Sequence, residues 1–586
     1  MERTTIEKFF AGKQLVIPSF QRDYAWEPAN VDDLWSDIRE ALELAVSHYL
    51  GTFILARRHA GGSYDLVDGQ QRLTTITMML QALVDRLPAS DTRRRIINEE
   101  KYLRGDEGDR LTLLGDNAVF FKQLLANQHP EPRTGGQKRL VRAYAHIKSL
   151  VESLACKDAV LVPRWLDGIG KLQVLEFVEE DSGNAIRIFE TVNDRGRPLA
   201  TVDKIKSFLI HTSNRYLGSE LDGPLQERFG RIFRSFDAVK DLGGGRLQIE
   251  LIVRERFTED AVLRYHFTAY PSQYHDYKFT AEDVLDHFLK PAVKQKVANG
   301  QLKELKAFLD DYSEDLAQFF EAFVELLRRG DTEPQLFKIF TSLVLSAYLY
   351  PLTIRLAQMK ILDTELPGAT GRTFLDAIET ADVRVYKTRG TTPEKDIAKL
   401  ARDARALPPA AIASRLREFV SQFMPDATFR FELRGNVYEN NEGVRFILNE
   451  FDEAYRLRTG SAVPTVGELK QFRAKDPTID HVLAQQPTFD GDSRGFKDEA
   501  DYNANLHRLG NLAILERSIN SAAQTKSPEQ KASEDKLYPA SAYVSTQRLA
   551  ADLGSDAADG KTFGAITVDA RTNELIEFCA TRWILW

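Results

Sequence analysis

Cysteine is nearly absent. Two in 586 residues, Cys156 and Cys579, exclude a disulfide framework and a cysteine-built zinc site. A reducing cytoplasm is therefore the expected compartment. An excess of positive charge is missing too: 78 Lys and Arg against 86 Asp and Glu give a net charge of -8. That excludes a protein that coats nucleic acid by bulk charge, while a local basic cleft stays open. No run is long and apolar enough to suggest a membrane span. Residues 339–354 come nearest, but they carry Thr341, Ser342, Ser346 and Pro351 and read as a buried core helix. The opening residues lack a basic segment followed by an apolar one, so no secretory signal is expected. No Gly-x4-Gly-Lys-Ser/Thr loop and no repeat of fixed period occur.

What remains is an ordinary globular composition, 43% hydrophobic and 28% charged. The length suggests about three to five domains at roughly 100–200 residues each. Residues 31–44 carry apolar side chains at helical spacing. Residues 50–55 and 64–67 read as a hairpin, with the turn at 60–63. Residues 73–87 read as a long helix, 171–179 as a strand, and 184–192 and 201–211 as helices. From about 215 to 460 the pattern is helical. Its clearest stretch is 302–327, with Gly330 expected just beyond its end. From about 462 short apolar runs alternate with loops. The expected division is 1–215, 216–461 and 462–586.

Three constellations bear chemistry. The first packs amide, guanidinium and aromatic groups into Ile17-Pro18-Ser19-Phe20-Gln21-Arg22-Asp23-Tyr24-Ala25-Trp26. The motif Asp68-Gly69-Gln70-Gln71-Arg72 then follows a strand and opens a helix. A glycine at such a turn lets backbone approach a ligand, helix N–H groups attract an anion, and Arg72 can fork onto a phosphate. The competing reading is a capped helix with Arg72 in a structural salt bridge. Phe20, Tyr24 and Trp26 read more readily as core or stacking residues than as a cage for a modified base. The second constellation is Phe189-Glu190-Thr191-Val192-Asn193-Asp194-Arg195-Gly196-Arg197-Pro198-Leu199, whose turn can complete the same pocket or be only a turn.

The third is C-terminal: Asp480-His481, then His507-Arg508-Leu509-Gly510-Asn511-Leu512, then Asn520, then Lys531. A strand bearing a general-base histidine beside a metal ligand, a second strand whose Asn fixes the histidine's loop, and a helix with another ligand form a ββα metal nuclease. The histidine must be neutral to deprotonate water.

These residues together resemble the GmrSD-like type IV restriction enzymes, with a GmrS-type N-terminal domain and a GmrD-type HNH nuclease domain on one chain. BrxU and SspE are similarly built. The resemblance implies an α+β multidomain protein. Its parts would be a ParB/sulfiredoxin-like α/β N-terminal domain, a helical middle region and a ββα-metal (HNH) C-terminal domain. It implies Gln21, Arg22, Asp68, Gly69, Gln71, Arg72 and Asn193 at a nucleoside triphosphate (GTP or another). It implies His481 as general base, Asp480 and Asn520 as ligands of Mg²⁺ or Mn²⁺, Asn511 as the residue orienting the histidine loop, and Lys531 as a phosphate contact or structural residue. Two departures are His481-Val482-Leu483-Ala484, where the family often has a proline, and the stretch from Ser521 to Lys531, which lacks the usual further Asn and Phe.

The expected activity is cleavage or nicking of modified double-stranded phage DNA, gated by nucleotide, by a cytoplasmic homodimer without membrane contact. Alternatives are a phosphorothioate-sensing SspE-like nickase, a nucleotide-gated sensor that binds nucleic acid without cutting it, and a ribonuclease. The basic groups at 93–95 and 133–142 are candidates for a DNA channel or for solvated surface.

Overall fold

The computed structural model describes residues 2–18, 21–44, 48–58, 62–88, 90–105, 108–115, 117–180, 200–254, 257–272, 276–485 and 494–586. It is a mixed α+β protein whose contacts divide into two compact units. The first comprises 1–241, 258–263 and 279–321; the second comprises 242–257, 264–278 and 322–586.

The first unit is built on a six-stranded mixed sheet. Its strands are β1 (Glu2–Thr5), β2 (Gln14–Ile17), β3 (Tyr49–Arg57), β4 (Ser63–Asp68), β5 (Leu111–Leu113) and β6 (Gln173–Glu179). They lie in the order β1-β6-β3-β4-β2-β5. The hairpin β3–β4 is antiparallel, as the sequence pattern requires, and β3 runs parallel to β6. In β3 the consecutive residues Phe53, Ile54, Leu55 and Ala56 are all buried. A strand covered on both faces reads as such a run, not as an alternation.

Four helices of this unit bear on the site: α1 (Pro28–Glu43), α2 (Gln70–Asp85), α3 (Gly135–Lys157) and α4 (Leu161–Lys171). Every residue of α2 from Leu73 to Val84 is buried. The helix lies in the core although it carries Thr74, Thr75, Thr77 and Gln81, and its buried Thr77 hydroxyl is satisfied by the Leu73 carbonyl. Trp35 of α1 stacks on Trp165 of α4 with ring centroids 4.0 Å apart. The helices α5 (Thr201–Leu217) and α6 (Asp222–Val239) follow. The helix expected at 184–192 lies outside the described residues, as do residues 60 and 61 of the turn at 60–63.

The second unit is mostly helical, with a small hairpin of Glu365–Leu366 and Ala369–Thr373. Residues 339–354 are not one helix. Val344 adopts a left-handed φ of +56° and breaks the chain into short helical pieces, so the stretch is buried as expected but kinked. The long helix Leu302–Gly330, whose residues up to Glu321 belong to the first unit, includes the glycine expected beyond its end. No helix is long and apolar enough to cross a membrane among the described residues. Both cysteines are free, Cys156 exposed and Cys579 buried.

The C-terminal part of this unit carries α7 (Val444–Arg458), β7 (Pro477–His481), β8 (Leu512–Glu516), α8 (Arg517–Ala523) and α9 (Ala565–Arg582). Strands β7 and β8 pair antiparallel, with Asp480 opposite Ala513 and His481 opposite Leu512. Arg582 at the end of α9 pairs with Glu450 of α7 and with Glu379, and Glu379 also accepts the Trp583 indole N–H. This buried network seats α9, which in turn receives the turn before β8.

Candidate functional site

In the first unit a small, shallow cleft opens at the start of α2. Its lining includes Gln21, Arg22, Gln70, Gln71, Asn117 and Arg234. Of the residues expected to bind a nucleotide, Gln21, Arg22 and Gln71 reach this cleft. Asp68, Gly69 and Arg72 do not line it. Asn193 and the rest of 189–199 lie outside the described residues.

Each of these residues has a visible local task. Gln71 takes the backbone N–H of Ala25 on its Oε1 (2.8 Å) and donates to the Asp23 carbonyl (3.1 Å), fixing the 23–25 segment over α2. Gln21 donates to the Val67 carbonyl. Arg22 forks onto Asp203 with contacts of 3.3 and 2.6 Å, pairs with Glu259, and covers the Phe233 ring. Gly69 sits at φ +91°, and a Cβ there would fall 2.3 Å from the Phe53 ring. Arg72 turns back onto β3 and donates to the Leu50 and Thr52 carbonyls at 2.6 and 3.1 Å. The guanidinium passes over Gly51, where a Cβ would lie 1.5 Å from its Nη1. Burial pushes the Asp68 carboxyl up, against the pull of Arg72.

Gln70 stands in the sequence motif beside these residues and has an acceptor to spare. Its amide oxygen is buried without a partner among the described residues. Such an orphan acceptor calls for a donor. The first turn of α2 lies beside it, with N–H groups that have no intrahelical partner.

The basic groups weighed as a DNA channel are largely spent on carboxylates. Arg94 pairs with Asp167, Arg95 with Asp85 and Glu99, Lys138 with Asp241, Arg139 with Asp237 and Arg142 with Glu27. Several of these side chains are substantially exposed, as on a solvated surface.

The third constellation lies in the second unit. Asp480 and His481 end β7, Asn511 immediately precedes β8, and Asn520 lies on α8. Strand, strand and helix therefore occur in the expected order. Asn511 is fully buried. Its Oδ1 accepts the Leu483 N–H at 2.7 Å, and its Nδ2 donates to the Leu483 and Leu506 carbonyls at 3.3 and 2.8 Å. These bonds pin the chain just beyond His481. Gly510 permits it: a Cβ would fall 2.0 Å from the Val568 carbonyl on α9, and the glycine N–H instead donates to Thr572 Oγ1.

Asp480 is buried. Its Oδ2 accepts from Lys531 Nζ at 2.9 Å and from the Tyr538 hydroxyl. Lys531 is itself fully buried and donates also to the His481 carbonyl at 2.6 Å. Burial pushes the Asp480 carboxyl up and Lys531 opposes it. Asn520 donates through Nδ2 to Thr478 Oγ1 and the Ile479 carbonyl, at 2.8 and 3.2 Å. Its carbonyl oxygen stays outside those bonds. Thr478 and Asp480 are two residues apart on β7 and share a face, so Asn520 lies on the side of the strand that carries Asp480.

Among the described residues no three of His, Cys, Asp and Glu converge as a closed metal cage. The oxygen donors of Asp480 and Asn520 fit a hard cation that takes one or two protein ligands and keeps its waters, as Mg²⁺ does. Such a cation would share Asp480 with the Lys531 ammonium.

His481 is 6% exposed, and its imidazole is held down to about 4, by burial first and by His507 and Lys531 next. It is therefore neutral at physiological pH. Its neighbours were not foreseen as functional. The Nε2 of His481 lies 3.0 Å from Nδ1 of His507 and 3.3 Å from the Gln485 amide nitrogen. Tyr438 packs edge-on against His481 and flat against His507. A second histidine four residues before Asn511 was the available signal. Tyr438 offered none, because it lies far upstream in the helical stretch.

Comparison with known families matches two domains. Residues 6–210 match the GmrSD restriction endonuclease, N-terminal domain, and residues 423–578 match the GmrSD restriction endonucleases, C-terminal domain. No curated protein matches the chain.

Proposed function

The chain belongs to the GmrSD family of type IV restriction endonucleases, and from that premise we propose that it hydrolyses DNA phosphodiesters by metal-assisted general-base catalysis at His481. The observation that carries this reading is the grip of Asn511 on Leu483, which sets a neutral, buried His481 at the end of its strand. In this mechanism His481 takes a proton from the attacking water. Asn511 holds the loop that orients His481. Lys531 neutralises Asp480 and tethers the His481 carbonyl, so the strand end keeps its shape. Asp480 and Asn520 would hold the divalent cation, Mg²⁺ or Mn²⁺. When bound, it supplies positive charge to the scissile phosphate and the leaving oxygen.

The N-terminal cleft is the proposed site of a nucleoside triphosphate that gates cleavage. Its support is the orphan acceptor of Gln70 beside the open first turn of α2. The proposed substrate is modified double-stranded phage DNA and the proposed assembly a homodimer. Both rest on family membership.

The test compares plasmid or phage DNA that is unmodified, glucosyl-hydroxymethylated or phosphorothioated. Each is incubated with Mg²⁺ or Mn²⁺, with and without triphosphates, beside His481→Ala. Cleavage of one modified substrate that disappears in the variant is the expected result. Cleavage by His481→Ala at the wild-type rate overturns the mechanism.

A further inference from the structure

We propose that the trough between α1, α3 and α4 of the first unit is a binding site for an organic anion with an apolar body. The trough shares no residue with the cleft at the start of α2 and does not depend on the nuclease reading.

Its floor is apolar. The stacked indoles of Trp35 and Trp165 lie there, and Leu42, Leu150, Leu154 and Leu161 around them stay only partly buried. Helix packing is tight at one point. Leu42 fills the notch of Gly168, where a Cβ would fall 2.0 Å from its Cδ2. Beyond that contact the three helices leave about 430 Å³ between them, the size of a small-molecule pocket. Apolar surface continues past this lining. Leu44 and Val160, next in the chain to Glu43 and Leu161, are 61% and 68% exposed.

Charge selects the ligand. The spacing that lays Leu150 and Leu154 on the floor brings Lys157 to the trough one turn later, and Arg39 arrives from α1 in the same way, four residues after Trp35. Arg164 is the third cation. Arg39 and Lys157 form no ion pair among the described residues, unlike Arg139 and Lys138 of the same unit. Arg164 spends one donor on the Leu42 carbonyl at 3.1 Å, and a guanidinium has five. Two carboxylates also line the trough, but Asp32 is held by His146 at 2.7 Å. Three cations therefore face the single unengaged carboxylate of Glu43. An apolar body gains by leaving water on the leucines and indoles, while an anionic group meets charged donors at the rim. A neutral or cationic ligand of the same shape would use the floor and waste the rim.

The test titrates the full-length protein with anilinonaphthalene sulfonate, an aromatic sulfonate, and with phenylnaphthylamine, the same rings without the charge. Saturable binding of one sulfonate per chain is expected, with energy transfer from tryptophan and a raised melting temperature. Arg39→Glu with Lys157→Glu, two exposed positions, should weaken it roughly 10-fold or more, and the neutral probe should bind wild type more weakly by a similar factor. Leu154→Trp, which fills the space from its floor, should abolish binding without lowering the melting temperature. Unsaturable binding, equal affinity in the charge-reversed variant, or equal affinity of the neutral probe overturns the proposal. So does displacement of the sulfonate by a short unmodified DNA duplex, which would make the trough a nucleic-acid contact. A wild-type dimer that Leu154→Glu turns into a monomer in sedimentation would show a second copy covering the trough, and overturns it as well.

Discussion

Lys531 and Asp480 form an ion pair of 2.9 Å in which the lysine is wholly buried and the aspartate nearly so. Two charges taken out of water must be matched closely, and removing one strands the other. Lys531→Met is therefore expected to cost about 3–5 kcal/mol of stability. Asp480→Asn in the same chain should recover part of it. Urea denaturation of the two single variants and the double variant measures this. A loss for Lys531→Met no larger than that of a surface substitution would contradict the buried pair.

Asn511 closes three hydrogen bonds at a fully buried position. Asn511→Ala leaves the Leu483 N–H and two carbonyls without their partner. Each buried unmet group costs about 1–3 kcal/mol. Cleavage is expected to fall with the stability, because the strand end bearing His481 loosens. Asn511→Asp keeps the acceptor for Leu483 but turns a carboxylate oxygen onto the Leu483 and Leu506 carbonyls in a fully buried site, so it should be at least as destabilising as Asn511→Ala. Equal stability of wild type and Asn511→Ala in thermal melts would rule the role out.

The imidazole of His481 is held down to about 4. The base is therefore neutral at every pH above that value. The His481-dependent limb of the rate profile is expected to stay level through the range where free histidine protonates, and to fall only as the pH nears 4. A fall centred on the ordinary histidine range would show that the imidazole is neither desolvated nor influenced by His507 and Lys531 as found here.

In the N-terminal cleft, Arg72 and Gln70 are expected to part company. Arg72→Met strips the Leu50 and Thr52 carbonyls of their donor and should lower stability by about 1–3 kcal/mol. Triphosphate affinity should hardly change. Gln70→Leu should do the reverse. Calorimetric titration with GTP and ATP beside thermal melts separates the two effects. Loss of nucleotide affinity in a fully stable Arg72→Met would return that guanidinium to the phosphates.

Gly510 carries the sharpest steric constraint near the site. An added methyl meets the Val568 carbonyl and the Thr572 backbone, neither of which is a flexible chain end. Gly510→Ala is expected to destabilise the C-terminal part and reduce cleavage, while Gly554→Ala, with open space around its Cα, should be silent. Similar melts for both would remove the close approach of the turn to α9.

The sequence by itself determined the local elements and the order of the chemical groups. Apolar spacing was enough for α1, α2 and the β3–β4 hairpin, because one face or both had to be buried. The spacing from Asp480 to Asn511 to Asn520 was enough for strand, strand and helix, because the motif is nearly continuous in the chain. Only the tertiary structure decided what each polar group does. Arg72 could point to a phosphate or to a carbonyl with equal local propensity. The bare Gly51 on a neighbouring strand sent it to the carbonyls. The basic clusters were blind to the carboxylates that meet them from other helices. Tyr438 stands 43 residues before His481 in the chain, yet packs against its ring. Hydrogen bonds and ring contacts depend on angstroms, and chain folding alone brings such distant groups within that range.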